Sequence, residues 1–182
     1  GVTVIEGYGL TETSPVISVN TMKHGSVPGS VGPVLPNVEL EIVNEAGNQV
    51  RQGEVGEIRV RGETVMKGYW KKPNETAETL SADGWLRTGD LGHMDEMGRL
   101  FISAGRIKDL IIRAGENVSP LAIENALMIH PAIAEVAAVG IADERIGEKV
   151  KVFAVLREGK QVTEEELKKL CRKKLPAFMI PD

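Results

Sequence analysis

The 182-residue sequence contains a single cysteine, Cys171, which excludes an internal disulfide and any thiolate cluster for zinc. Its place among Leu167, Leu170 and Leu175 predicts a buried, inert thiol on the apolar face of a helix. No charged leader precedes an apolar stretch, and nowhere are there the roughly 18 consecutive apolar residues that a membrane-crossing helix needs. The cytoplasm is therefore the expected compartment, and peripheral membrane association of a larger parent is not legible in these residues. Neither charge sign dominates: 22 basic residues stand against 26 acidic ones, for a net charge of -4. The basic residues are scattered except at Arg172-Lys173-Lys174, so no nucleic-acid partner and no broad anionic-surface contact are expected.

Several chemical motifs are missing too. No glycine-rich stretch ends in the Lys-Ser or Lys-Thr of a P-loop, and Glu12 stands where a dinucleotide fingerprint beginning Gly7-x-Gly9 needs its third glycine. His24, His93 and His130 are far apart, none with a neighbour at metal-binding spacing, and are expected on the surface or in turns. Ser14, Ser26 and Ser30 have no nucleophile-elbow context. No internal repeat or low-complexity tract is visible.

What is present is a 42% hydrophobic composition, enough for one ordinary domain or two small ones. Val2-Thr3-Val4-Ile5 reads as an interior strand without a starting segment, and Leu175 to Asp182 as a proline-punctuated connection, so a fragment is expected. Alternating apolar and acidic or basic residues over 38–43 and 57–61 predict half-buried strands. Gly25 to Pro36, with three glycines and three prolines, predicts a loop. Pro73 suits the first turn of a short helix running to Leu80, and Leu100 to Ser103 adds a strand after the turn at 95–98. After Arg106 the pattern changes to strand and helix in alternation. Strands are expected at 110–112, 133–141 and 150–156, and one helix starts at Ser119-Pro120, packing Ile123, Leu127 and Met128. A last helix is announced by the capping box of Thr163 and Glu166. The expected fold class is α+β. An antiparallel β-rich subdomain over residues 1–106, a small sheet or distorted barrel, precedes a smaller α+β domain over 107–182.

Three polar motifs lie along this frame. In Tyr8-Gly9-Leu10-Thr11-Glu12, glycines flanking Tyr8 allow close backbone approach and leave the ring free to lie on a flat partner such as adenine. Thr11 can donate to a phosphate oxygen, and Glu12 can help hold Mg2+. A capped turn after a strand end explains the same residues equally well. In Trp85-Leu86-Arg87-Thr88-Gly89-Asp90, Trp85 reads as a packing residue. Asp90, placed in a tight loop, is either a carboxylate for a ribose diol or a cap for local amides. In Gly105-Arg106-Ile107-Lys108-Asp109, Arg106 can reach a ribose or phosphate or pair with Asp109.

Taken in order, Y-G-L-T-E-T-S-P, G-E-I-R-V-R-G with M-K-G-Y-W, D-G-W-L-R-T-G-D-L-G and G-R-I-K-D-L-I-I-R-A-G-E-N-V-S-P resemble the adenylate-forming (AMP-binding) superfamily of acyl-CoA synthetases, luciferases and peptide-synthetase adenylation domains. The resemblance covers essentially the whole chain. The runs Leu10 to Pro15 and Gly115 to Pro120 look most like long-chain fatty-acid CoA ligases. The resemblance implies that Tyr8 and Gly9 line an adenine site, Thr11 contacts phosphate, Glu12 serves Mg2+, Asp90 holds the ribose hydroxyls and Arg106 adds a ribose contact. It further implies that Lys108 is a hinge for a mobile C-terminal domain and that the loop at Gly115 and Glu116 approaches the pantetheine arm. The implied cofactors and substrates are ATP or AMP, Mg2+, CoA and a fatty acid or related carboxylate. The family's phosphate loop is expected before residue 1 and its C-terminal lysine after Asp182, so the fold is expected to be incomplete and the isolated chain nearly inactive. Ala122 departs from the family, which commonly has an acidic residue there. Two alternatives of other kinds are a stand-alone nucleotide-binding or interaction module and a ligase that uses a carrier-protein thiol.

Overall fold

The computed structural model describes residues 2–22 and 25–182, so His24 lies outside the described residues. Backbone contacts divide the chain into two compact units, Gly1–Ser103 and Ala104–Asp182. Among the described residues no helix is long and apolar enough to cross a membrane.

The first unit begins with a short antiparallel pair, β1 (Gly7–Gly9) and β2 (Val16–Val19), joined through a single 3-10 turn at Thr11–Thr13. Then follow β3 (Ser30–Pro33), β4 (Val38–Val43), β5 (Gly56–Gly62), helix α1 (Pro73–Thr79), β6 (Leu86–Met94) and β7 (Arg99–Arg106). These strands form a five-stranded sheet in the order β3-β7-β6-β5-β4, with the described neighbours antiparallel. The alternation expected at 38–43 and 57–61 is present. Val38, Ile42, Ile58 and Val60 enter a core with Ile17, Leu86 and Leu100, while Glu39 faces Arg61 and Glu41 faces Arg59 across the two strands. Both cross-strand pairs are ion pairs, and the two guanidiniums lie over the ring of Trp85, 5.0 and 4.8 Å from its centroid. Trp85 is thus the packing residue expected of it, 7% exposed.

Three expectations for this unit are corrected. Val2 to Ile5 form no strand: pairing starts at Gly7, and Val2 and Val4 are 93% and 74% exposed, because no described strand lies beside them to complete a ladder. The supposed loop from Gly25 to Pro36 contains β3. Proline is tolerated there because β3 is an edge strand, and Gly32 has φ +89 with the Val19–Asn20 backbone against the space a Cβ would fill. Asp90 lies in no loop but within β6, on a bulge. Glu57 pairs with Leu91 and Arg59 with Arg87, so three residues, Thr88, Gly89 and Asp90, oppose Ile58 alone.

The second unit contains β8 (Ile111–Arg113), β9 (Glu116–Val118), α2 (Pro120–Met128), β10 (Ile133–Asp143), β11 (Gly147–Leu156) and α3 (Glu164–Lys174). Its sheet order is β10-β11-β8-β9. The long hairpin β10–β11 turns through Asp143, whose carboxylate accepts from the Arg145 and Ile146 amides. Helix α2 starts where Ser119 accepts from the Ala122 amide, so the hydroxyl caps the helix at its first turn. Ile123 and Leu127 are buried as expected, but Met128 is 42% exposed because it falls off the apolar stripe. In α3 the capping box is complete: Glu166 N–H donates to Thr163 Oγ1 and Thr163 N–H donates to Glu166 Oε2. Glu164, Glu165 and Glu166 in the first turn and Arg172, Lys173 and Lys174 in the last both complement the helix dipole. Cys171 is fully buried in the core with Ile111, Val118, Ile123, Leu127, Ile133 and Val150, and burial pushes its thiol pKa above the ordinary value.

Candidate functional site

In the first unit the structure joins residues 82 positions apart. The Tyr8 hydroxyl donates to Asp90 Oδ2 at 2.6 Å, and Asp90 is 6% exposed. Each partner is delivered by a specific backbone irregularity. Tyr8 is followed by a register shift at Gly9, where a Cβ would overlap the Pro15 carbonyl. The glycine expected to admit a ligand therefore first admits the protein's own backbone. Asp90 is delivered by the β6 bulge, with Gly89 at φ +73. Thr88 stabilises that bulge from within: its hydroxyl donates to the Ile58 carbonyl at 2.7 Å and accepts from the Asp90 amide at 3.1 Å. Arg87 beside it forks onto the buried Glu57 carboxylate, with Nη2 2.6 Å from Oε2, and that carboxylate raises the guanidinium pKa further.

Thr11 and Glu12 occupy the 3-10 turn between β1 and β2. The turn is held by Thr13, which is fully buried. Its Oγ1 accepts from the Leu10 amide and donates toward the Leu10 and Pro15 carbonyls, and Ser14 follows in the left-handed region at φ 55. Thr11 is left exposed on the turn. Glu12 is anchored twice by one segment: its carbonyl accepts from the Met66 amide and its Oε1 from the Tyr69 hydroxyl, both at 2.8 Å. Burial, then the bond to Glu12, raises the Tyr69 pKa above the ordinary phenol value, so Tyr69 stays a donor. The Tyr69 amide in turn donates to Thr76 Oγ1 in α1 at 2.9 Å.

Thr13, Tyr69 and Thr88 were not singled out from the sequence. The signal for Tyr69 was its place in the Met66 to Trp70 segment, and Thr88 stood next to Asp90. Nothing in the residue order says which far carboxylate each hydroxyl meets.

No group of three or more His, Cys, Asp or Glu side chains is arranged for a metal among the described residues. Glu12 offers one carboxylate, which fits an ion such as Mg2+ that keeps several waters and takes its other ligands from substrate phosphates. His93 stacks on Phe101 at 4.9 Å and bonds Ser103 Oγ through Nδ1, and His130 accepts from the Ala132 amide in a turn.

In the second unit the expected residues lie on separate elements. Arg106 ends β7 and Lys108 occupies the following 3-10 turn, Ile107–Asp109, both exposed. Gly115 and Glu116 belong to the β8–β9 hairpin, whose two-residue turn is Ala114-Gly115 with φ 52 and 84, the positive pair of a type I′ turn. The Ala114 amide donates to the Ile146 carbonyl at 2.7 Å.

Two family models match this chain. The AMP-binding enzyme model matches residues 1–70 and the AMP-binding enzyme C-terminal domain model residues 122–182. The chain is 44% identical over 178 residues to a long-chain-fatty-acid–CoA ligase of Escherichia coli O157:H7, covering 98% of this chain and 31% of that protein. It is 45% identical over 179 residues to a long-chain-fatty-acid–CoA ligase of Bacillus subtilis (strain 168), covering 98% and 32%. Among solved structures, ATP-bound MatB from Rhodopseudomonas palustris superposes with a TM-score of 0.91 at 37% identity, over 98% of this chain and 35% of that one. The chain belongs to the AMP-binding, adenylate-forming enzyme family, and it spans about a third of the length of the relatives it matches.

Proposed function

We propose that this chain forms the adenosine-binding side and the hinge-linked domain of a cytoplasmic, ATP-dependent fatty-acid CoA ligase. Residues 1–106 belong to its large domain and 107–182 to its small one. The observation that carries this reading is the Tyr8–Asp90 contact, which brings an aromatic ring and a diol-accepting carboxylate together from two of the resembling motifs. A carboxylate has about four lone-pair sites, so accepting from Tyr8 is compatible with accepting from ribose hydroxyls. Tyr8 then supports adenine, Thr11 donates to phosphate, Glu12 takes part in holding Mg2+, and Arg106 adds a further ribose contact.

The overall chemistry joins the carboxylate to AMP with loss of pyrophosphate, then exchanges AMP for the CoA thiol. Mg2+, when bound, offsets the charge on the polyphosphate. Lys108 serves as the pivot, and the Gly115–Glu116 turn approaches the pantetheine arm in the second step; a hinge lets one cleft serve two reactions. The chain alone forms acyl-adenylate poorly. It spans a third of its relatives, and loss of even one charge-stabilising donor commonly costs about a hundredfold or more.

The test uses the natural protein that carries this sequence, assayed with ATP, CoA and a series of fatty acids while AMP and acyl-CoA are quantified. Acyl-CoA and AMP formed in equal amounts, with AMP affinity lost in Asp90→Ala, is the expected result. Release of ADP instead of AMP, or AMP affinity untouched by Asp90→Ala, overturns the reading. Robust acyl-AMP formation by these 182 residues alone overturns its incomplete-site part.

A further inference from the structure

The tip of the Ala114-Gly115 turn is open, since a Cβ built on Gly115 would meet nothing within 4 Å, while the Ala114 amide donates to the Ile146 carbonyl at 2.7 Å. A turn with open space around its tip takes its position from the strands at its base. On one side that base is Arg113, and it is held unusually firmly. Its backbone pairs with Glu116 across β9 and with Gly147 across β11. Its side chain, 20% exposed, reaches the end of the chain: Nη1 donates to the Ile180 carbonyl at 2.7 Å and to the Phe178 carbonyl at 3.2 Å, and Nη2 to Asp182 Oδ1 at 2.7 Å. Asp182 closes the arrangement, because its Oδ2 accepts from the Val150 amide and its own amide donates to the Val150 carbonyl. One guanidinium thereby ties β8, the segment at 177–182 and β11 together. The planar fork is pre-organised for this, with Nη1 serving the two carbonyls and Nη2 the carboxylate.

We propose that Arg113 is a positioning residue for thioester formation, setting the placement of the Ala114-Gly115 turn by clamping strand β8 to the segment 177–182. The inference rests on the functional reading above, in which this turn approaches the thiol arm. A side chain that only stabilised the fold would lower both half-reactions together. A positioning residue for this turn lowers the CoA-dependent one selectively, since a displacement of about 1 Å at a reacting arm costs up to roughly a hundredfold.

The experiment measures two half-reactions in the natural full-length ligase: ATP–pyrophosphate exchange with a fatty acid, and acyl-CoA formation as a function of CoA concentration. In Arg113→Ala, kcat/KM for CoA is expected to fall about ten- to a hundredfold, far more than the exchange rate. Arg113→Lys falls between this variant and the wild type, because a single ammonium nitrogen on a flexible stem keeps the charge but not the two-nitrogen fork that reaches the carbonyls on one side and the carboxylate on the other. Asp182→Asn keeps the two carbonyl contacts and shows the same selectivity with a smaller loss. If Arg113→Ala does not fold, the two milder variants decide. Equal losses in both half-reactions, or no loss of CoA-dependent rate in either, overturn the proposal. A wild-type protein that performs exchange but makes no acyl-CoA from CoA sinks the functional reading, and this inference with it.

Discussion

The two units use opposite ways of placing polar side chains. In the first, Tyr8 meets Asp90 and Glu12 meets Tyr69, each contact joining remote segments through a hydroxyl bonded to a carboxylate. In the second, Arg106 at the end of β7, Lys108 in the following turn, and Gly115 and Glu116 at the β8–β9 turn are all exposed, and backbone geometry sets their places. The first arrangement suits a ligand held in one pose, because its groups are oriented before anything binds. The second suits groups that are presented to a partner and withdrawn. The buried cores of the two units are alike in kind, each a cluster of Ile, Val and Leu under antiparallel strands. The difference therefore lies in the polar residues, not in how well each unit packs.

Glycine substitutions and side-chain truncations can break this contrast. The largest effect is expected for Gly9→Ala, since its Cβ would overlap the Pro15 carbonyl within the β1–β2 pair; a loss of about 3 kcal/mol in chemical denaturation is expected. A loss near zero would mean that Gly9 is not fixed by the fold. Asp90→Ala should weaken AMP binding by about ten- to a hundredfold in calorimetric titration, as hydrogen bonds to a charged acceptor are lost. Tyr69→Phe removes the donor to Glu12 and should cost about 1 kcal/mol.

Tyr69→Phe also carries a pH signature. A raised Tyr69 pKa means that the folded state holds the proton more tightly. Its stabilisation is present below the ordinary phenol value of about 10 and is lost as pH rises through the raised value. The chain has two tyrosines, so alkaline absorbance titration of Tyr69→Phe should lose one late-titrating phenol relative to the unsubstituted chain.

Local effects in the second unit come last. Thr163→Ala should cost about 1 kcal/mol by removing half of the capping box. Gly115→Ala should cost less than about 1 kcal/mol, because the left-handed strain at φ 84 is partly offset by a less flexible unfolded chain and the added methyl has open space. If Gly115→Ala proved as costly as Gly9→Ala, the distinction between a packed and a presented glycine would fail.

Features with a short-range physical cause could be read from residue order. The period of two at 38–43 and 57–61 placed strands because alternation selects one buried face, and Thr163 with Glu166 marked a helix start because the cap closes within four residues. Pro73 and Ser119-Pro120 worked for the same reason, and Cys171 followed from helical spacing. The family blocks located Tyr8, Glu12 and Asp90 as positions of interest.

Pairing over long distances was not legible. Val2 to Ile5 have a strand's composition, but a strand exists only beside a partner, and none of the described strands is there. Gly25 to Pro36 looks too broken for a strand, yet residues 30–33 pair with β7 at the end of the sheet order, where proline is tolerated. Asp90 became a bulge residue because β5 and β6 differ in length between their paired positions, which is a property of two segments and not of one. The same holds for the partners of Tyr8, Glu12 and Arg113. A hydroxyl or guanidinium advertises that it will be bonded, but only the packed chain, by bringing segments tens of residues apart within 3 Å, selects the acceptor.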